Sequence, residues 1–208
     1  MLKKLFSLVV LVTILSITGC VSYTVTGPLG KPLHVAEASH PHAAQIADVA
    51  IDIPGTDDAT RTAISRSLTA QLNEYVKAGG YFKTVTEYPT RLGERDVMLK
   101  FTMTSLKGHR APHPGYIPGA LLTLTLWIWV NGPIYVDSFD LAGDLVIVDR
   151  DGKQLAAAKD QIKFEHNVGL YGREYWSPVM GAKKLNVLVS SLLDSATARL
   201  AQVPPKGE

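Results

Sequence analysis

The sequence has little of three things that mark many functional classes: cysteine, excess charge and catalytic motifs. One cysteine, Cys20, stands among 208 residues, so no disulfide can form within the chain and no multi-cysteine metal site is present. The 21 basic and 19 acidic residues give a formal net charge of +2, which gives no support to nucleic-acid binding. No nucleic-acid partner is therefore expected.

Motifs of common hydrolases and nucleotide-binding enzymes are also missing, since the sequence contains no GxSxG, SxxK, HExxH or Walker glycine loop. His40 and His42 have metal-ligand spacing without a further ligand nearby. Asp149 and Asp151 have the spacing of a calcium-loop start, but a hairpin turn explains them. We predict a protein that is not an enzyme and uses no metal or cofactor.

The first twenty residues have the order of a secretory leader. Lys3 and Lys4 precede the uncharged residues 5–18, and Gly19 comes directly before Cys20. This order predicts a signal peptide. A membrane-spanning helix is not expected, because such a helix needs about 20 apolar residues and this uncharged run is shorter. Removing Lys3 and Lys4 leaves 19 basic residues against 19 acidic ones.

The tetrapeptide Ile17-Thr18-Gly19-Cys20 resembles the bacterial lipobox, in which the cysteine is acylated and becomes the first mature residue. The resemblance implies acyl chains on Cys20, palmitate among them, that anchor the chain to a membrane. A buried or unpaired thiol is the alternative. An aspartate after the cysteine would resemble an inner-membrane retention signal, and Val21 stands there instead. The expected location is the outer membrane, with the domain facing the periplasm.

The sequence predicts four segments: a signal peptide over 1–19, a lipidated N-terminus with a flexible tether over 20–44, one domain over 45–203 and a tail over 204–208. The tether is predicted because residues 21–44 are rich in Gly, Pro, Ser and His and show no sustained period.

Two amphipathic helices are predicted from apolar residues at spacings of three and four. One carries Ile64, Leu68, Leu72, Tyr75 and Val76, and the other Leu185, Leu188, Val189, Leu192, Ala196 and Leu200. Alternating apolar residues predict strands over 47–53 and 97–103, with further strands joined by short turns. The predicted fold class is α+β, a mainly antiparallel sheet of about five to six strands with both helices packed on one face.

The stretch RTAISRSLTAQLNEYVKAGGYFKTVTEY is similar to the helix-to-strand step of a group of bacterial envelope proteins. The group comprises the amino-terminal domain of the Tol translocation protein, the curli secretion and Pel polysaccharide-export lipoproteins, and the lipoprotein activator of penicillin-binding protein. LTLTLWIWVNGP, followed by an Asp-Arg-Asp-Gly turn, resembles Gram-negative lipoproteins with such a domain. The resemblance implies an assembly or export accessory without catalytic residues.

Residues 120–130 are the most hydrophobic stretch after the leader. Eleven residues would rise only about 16 Å as a helix, too little to cross a membrane. Their alternation predicts a strand that pairs across a turn at 131–133 and places Trp127, Trp129 and Tyr135 on one face. Three interpretations follow: a central sheet strand, a partner interface or surface in the lipid headgroups, or one arm of a membrane-spanning hairpin.

Two loops contain basic and aromatic residues that suit a ligand or a partner, or simply internal packing. They supply His109, Arg110, His113 and Tyr116 from the first loop, and Tyr171, Arg173, Tyr175 and Trp176 from the second. The leading hypothesis is a non-enzymatic outer-membrane lipoprotein that scaffolds an envelope machine, through self-association as a homo-oligomer or through other envelope proteins. The alternative is a periplasmic lipoprotein that binds a glycan or lipid through these loops.

Overall fold

A computed structural model describes residues 20–36, 39–86, 88–89, 92–94, 96–123, 126–177 and 179–202. The predicted signal peptide, the first three residues of the lipobox and the predicted tail lie outside these ranges. Within them, every helix is too short or too polar to cross a membrane.

The described chain contains seven strands and four α-helices. In chain order they are β1 (Val21–Thr24), β2 (His40–Ile46), β3 (Ala50–Ile51), α1 (Asp58–Gly79), β4 (Phe82–Thr86), β5 (Val97–Pro112), α2 (Tyr116–Leu122), α3 (Leu126–Trp129), β6 (Tyr135–Val148), β7 (Gln154–Val168) and α4 (Val179–Leu200). A short 3-10 helix, Arg173–Tyr175, precedes α4.

The strands form one mixed sheet in the order β4-β2-β5-β6-β7, and β1 and β3 also pair with β5. β2 runs parallel to both β4 and β5, β3 runs parallel to β5, and β1 runs antiparallel to β5. The α+β class is confirmed, but the sheet is mixed and not purely antiparallel, its seven strands exceed the five to six predicted, and the described chain has four α-helices where two were predicted. β4 runs parallel to β2 because α1 lies between them and is a crossover connection long enough to return the chain in the same direction.

The chain divides into two compact units. Among the described residues, unit 1 comprises those within 20–24, 107–139 and 163–179, and unit 2 comprises those within 25–106, 140–162 and 180–202. β5, β6, β7 and α4 contribute residues to both units.

Unit 2 has an apolar core built on the two long helices. The apolar residues predicted for α1 and α4 are all buried, as are Val97, Leu99, Phe101 and Met103 of β5. The Asp57 side chain accepts a hydrogen bond from the Thr60 backbone N–H at 2.9 Å and so caps α1. Both predicted amphipathic helices are therefore confirmed, with their predicted apolar stripes facing the core.

The segment after β1 is held in unit 2 by side chains of α1 and α4. Gln71 accepts from the Leu29 N–H and donates to the Thr26 carbonyl, both at 2.9 Å, while Asn186 donates to the Leu29 and Lys31 carbonyls. Leu29 is buried. The sequence predicted an irregular tether here, because the side chains that hold the segment, Gln71 and Asn186, are distant along the chain and leave no local pattern. The division into signal, tether, domain and tail stays a prediction.

The strand predicted over 120–130 is wrong, because the described residues of this segment form α2 and α3. Thr123 Oγ1 accepts from the Trp127 N–H at 2.9 Å and caps α3, and Pro118 occupies the first turn of α2, where it is tolerated. The turn predicted at 131–133 does not pair two strands; the Gly132 N–H donates to the Trp127 carbonyl at 2.7 Å and closes the end of α3. The central-strand and membrane-spanning hairpin interpretations therefore do not hold.

Candidate functional site

Every residue predicted to contact a partner or ligand lies in unit 1. These residues separate into an ion-pair cluster around Arg110, an aromatic loop (Tyr171, Tyr175 and Trp176) and the α2–α3 segment. The three groups differ in how many of their polar and apolar groups are free to contact another molecule.

The Arg110 guanidinium is held by a bidentate ion pair with Asp137. Nε donates to Asp137 Oδ1 at 2.6 Å and Nη2 to Oδ2 at 2.7 Å. The Asp137 side chain is fully buried, and the Arg110 side chain is 17% exposed. The hydrogen bond that Arg110 donates to Asp137, reinforced by the negative charge of Asp137, raises the pKa of Arg110 although burial opposes this. Planar two-point pairing of this kind suits arginine and not lysine.

Arg110 also holds the 3-10 helix that precedes α4. Its Nη1 donates to the Tyr175 carbonyl at 2.9 Å and its Nη2 to the Glu174 carbonyl at 2.6 Å. Each guanidinium nitrogen therefore has a partner within unit 1. This arrangement makes Arg110 a structural clamp and leaves it poorly suited to bind a phosphate or carboxylate from a ligand.

The loop predicted to hold His109 and Arg110 is wrong, because both residues lie in β5, which extends to Pro112 and pairs with β1. The other basic residues of this stretch are not assembled around Arg110. His109 Nδ1 lies 3.2 Å from Ser22 Oγ, and His113 Nδ1 accepts from the Gly115 N–H at 3.1 Å. Arg173 is exposed. The structure thus does not bring the predicted basic side chains together as one anion-binding group.

The aromatic loop continues outward from the ion pair. The Arg110 guanidinium lies over the Tyr135 ring at 5.5 Å, Tyr135 contacts Tyr175 at a ring separation of 5.8 Å, and Tyr175 meets Trp176 edge to face at 5.0 Å. Trp176 is 82% exposed and Tyr171 is 59% exposed. The buried charge pair therefore supports, through Tyr135 and Tyr175, the exposed ring of Trp176.

Sequence reasoning missed two residues of this cluster, Asp137 and Tyr23. Burial, with the nearby Asp137 carboxylate, raises the pKa of the Tyr23 phenol to about 12, partly opposed by Arg110. The Tyr23 ring occupies the space a Cβ at position 108 would need, 2.3 Å away, so glycine is required there. The available signal was the aspartate in the mostly apolar stretch IYVDSF, because a carboxylate buried in such a strand needs a cationic partner.

The two predicted interface tryptophans of α3 have different environments. The Trp127 indole packs against Gly119 and Gly132, where an added Cβ would lie 2.6 and 2.4 Å from it, and its N–H donates to the Pro133 carbonyl at 3.2 Å. Trp129 is 72% exposed. Trp127 therefore fixes the segment, and Trp129 is presented to solvent.

Large apolar side chains are exposed along α2 and α3. This α2–α3 surface, as we call it, consists of Ile117, Leu121, Leu122, Leu126, Trp129 and Val130, which are between 48% and 84% exposed. Ile117 and Leu121 are four residues apart in α2, and Leu126 and Trp129 are three apart in α3, so each pair lies on one side of its helix. Val130 directly follows α3.

Metal-ligand clusters of three or more His, Cys, Asp or Glu side chains do not occur among the described residues. In unit 2 the His40 and His42 rings stack at 4.8 Å. Asp149 Oδ1 accepts from the backbone N–H groups of Asp151 and Lys153, which is the hairpin turn expected there.

No family model and no curated protein matches this sequence. Solved structures do resemble its fold. Protein XCC0632 from Xanthomonas campestris has 10% identity and a TM-score of 0.45, with coverage of 83% of this chain and 95% of that one. The PelC dodecamer from Paraburkholderia phytofirmans has 14% identity and a TM-score of 0.36, with coverage of 88% and 97%.

Lipoprotein GNA1162 from Neisseria meningitidis also resembles the fold, with 14% identity, a TM-score of 0.32 and coverage of 73% of this chain and 100% of that one. Bacterial lipoproteins are thus among the structures similar to this chain. At these identities and TM-scores, the likeness concerns the fold alone and carries no argument about function.

Proposed function

We propose that this chain is a non-enzymatic lipoprotein of the bacterial outer membrane, anchored through acyl chains on Cys20 and facing the periplasm. It scaffolds an assembly or export machine of the envelope, through self-association or through another envelope protein. The lipobox-like sequence supports the anchor, and Cys20 is exposed directly before β1.

The observation that carries this proposal is that the charged residues of the Arg110 cluster hydrogen-bond one another and the 3-10 helix, whereas rings of the aromatic loop beside them are exposed. Arg110 and Asp137 satisfy each other and the 3-10 helix, which removes the only buried charges of the site from any chemistry on a substrate. The exposed rings of Tyr171 and Trp176 are left as the contact groups. Aromatic rings held by a rigid support are typical anchors of protein interfaces.

A second candidate function is glycan binding by the same two rings, because exposed aromatic faces can stack on sugars. The basic part of the predicted ligand site does not favour it, since Arg110 is engaged internally. The glycan would have to be recognised by Tyr171 and Trp176 without that guanidinium.

The test is the size of the lipidated protein in detergent, measured by analytical ultracentrifugation. We expect an oligomer, or a stable complex with one envelope protein, that Trp176→Ala weakens by about tenfold or more in Kd, the loss typical of an aromatic hot spot. Tyr88→Ala, which removes an exposed ring of unit 2, is the matched control and should leave the size distribution unchanged. A monomer that retains glycan would favour the second candidate instead.

The anchor is tested separately by the mass of the amino-terminal peptide from native membranes. We expect an acylated Cys20 as the first residue. An unmodified thiol with residues 1–19 still attached would reject the proposed location.

A further inference from the structure

We infer that the α2–α3 surface lies in the interfacial region of the lipid bilayer that carries the acyl chains of Cys20. The inference rests on the proposed function, because it requires the chain to be anchored at Cys20. It assigns the bilayer, and not a second protein, as the occupant of the exposed apolar residues.

The first argument is position within unit 1. β1 pairs with β5 so that Val21 stands opposite Arg110, and the next residues outward, Cys20 and Ala111, are at the same end of this strand pair. β5 ends at Pro112 and α2 begins at Tyr116. Paired strands lie about 5 Å apart and five residues span at most about 18 Å, so the start of α2 is within about 25 Å of the anchored residue.

The second argument is the rigidity of the connection. No free residue separates Cys20 from β1, and Tyr23 packs on Gly108 of β5. Acyl chains on Cys20 therefore bring the bilayer surface to this end of the strand pair instead of leaving it a tether length away.

The third argument is the chemistry of the surface. Residues 114–136, 23 in all, contain no Asp, Glu, Lys, Arg or His. A protein interface has a polar rim around its apolar centre, whereas the lipid boundary favours apolar side chains with tryptophan near the headgroups. The exposed Leu122, Leu126 and Trp129 fit the second environment.

The fourth argument is that internal contacts fix α2 and α3 in a conformation that leaves their apolar side chains exposed. Trp127 fills the space between Gly119 and Gly132, and Thr123 caps α3. These contacts hold the helices in place while the apolar side chains on their other side stay exposed. Interfacial helices bury their apolar face about 5–10 Å into the headgroup and acyl boundary, and this exposed apolar side has the chemistry of such a face.

The experiment places the purified lipidated protein in phosphatidylethanolamine and phosphatidylglycerol vesicles whose acyl chains carry bromine atoms, which quench nearby tryptophan. We expect strong quenching that Trp129→Phe largely removes and Trp176→Phe largely retains. Both residues are exposed, so both variants should fold, which circular dichroism checks. Leu122→Ser combined with Leu126→Ser should also reduce the Trp129 quenching, since two apolar contacts with lipid are lost.

Two results would overturn the inference: wild-type quenching no greater than in Trp129→Phe, or Trp129 shielded from lipid by an oligomer that the Leu122→Ser, Leu126→Ser variant dissociates. The mass of Cys20 in the same sample separates the two proposals. An acylated protein with unquenched Trp129 rejects the membrane surface alone, and an unacylated one rejects the proposed anchor whatever the quenching shows.

Discussion

The two units of this protein use apolar residues in opposite ways. In unit 2 the helices α1 and α4 turn their apolar stripes inward, and the leucines of both stripes are buried. In unit 1 the helices α2 and α3 turn theirs outward, and the buried contacts include an ion pair. Apolar spacing alone therefore does not tell a core helix from a surface helix.

The difference lies in what stands on the other side of each helix. α1 carries Asp58, Arg66 and Lys77 on exposed positions, so burying its leucines does not bury these charges. α2 and α3 contain no charged residue, and their inner side is filled by Trp127 between two glycines. A helix without charges has no side that prefers water, which allows the leucine-rich side to face a second apolar medium.

The largest effect is expected from breaking the ion pair of unit 1. Asp137→Asn should lower the free energy of unfolding by about 4 kcal/mol, because it leaves the Arg110 charge without its partner in a mostly buried site. Urea unfolding followed by circular dichroism measures this. Asp140→Asn, which alters an exposed hydrogen bond to Gln161 in unit 2, should cost well under about 1 kcal/mol. Equal losses would show that the pair is not what holds unit 1.

A leucine pair tests the comparison directly. Leu72→Ala in α1 should cost about 3 kcal/mol, because it opens a cavity in a fully buried site. Leu122→Ala in α2 should change the free energy of unfolding by less than about 0.5 kcal/mol in the absence of lipid, because its side chain is exposed. Urea midpoints of the two variants supply the measurement. Similar losses from both would contradict the contrast between inward and outward stripes.

The smallest effect concerns pH and His40 of unit 2. Burial, followed by the nearby His42, lowers the pKa of His40 below its ordinary 6.5. The unfolded chain then takes up the proton at a higher pH than the folded chain does. Stability should therefore fall as the pH drops through 6.5 and level off below the folded pKa.

Urea midpoints at about pH 7.5 and about pH 5.5 measure this dependence. His40→Gln should reduce the difference between them, whereas His166→Gln, which leaves His40 and His42 in place, should keep it. A wild-type difference that survives His40→Gln unchanged would assign the pH dependence to other groups.

Sequence patterns predicted the parts of the fold whose causes are local. The α1 and α4 stripes and the alternation along β5 each depend on neighbours within a few residues. The parallel pairing of β2 with β4 was missed because it depends on where a 22-residue helix returns the chain. The α2–α3 segment was misread because Leu and Thr alternation fits a strand as well as a helix, and the Thr123 cap decides between them.

The candidate site was predicted as a set of residues but not as an arrangement. The aromatic and basic residues predicted for two loops lie in one unit, although His109 and Arg110 belong to β5 and not to a loop. The role of Arg110 could not be read from the sequence because its partner, Asp137, is 27 residues away and looked like an isolated charge in a strand. Long-range ion pairs leave no periodic signal along the chain.

Under the proposed anchoring at Cys20, the start of β1 directly after that residue would set how far the protein reaches for partners. A lipoprotein on a long flexible tether samples a thick layer of the periplasm, whereas an anchored strand that begins at residue 21 would keep unit 1 in a thin layer next to the headgroups. Collisions would then occur mainly in two dimensions, among molecules held in the same plane, which raises the effective concentration of neighbours without any new contact.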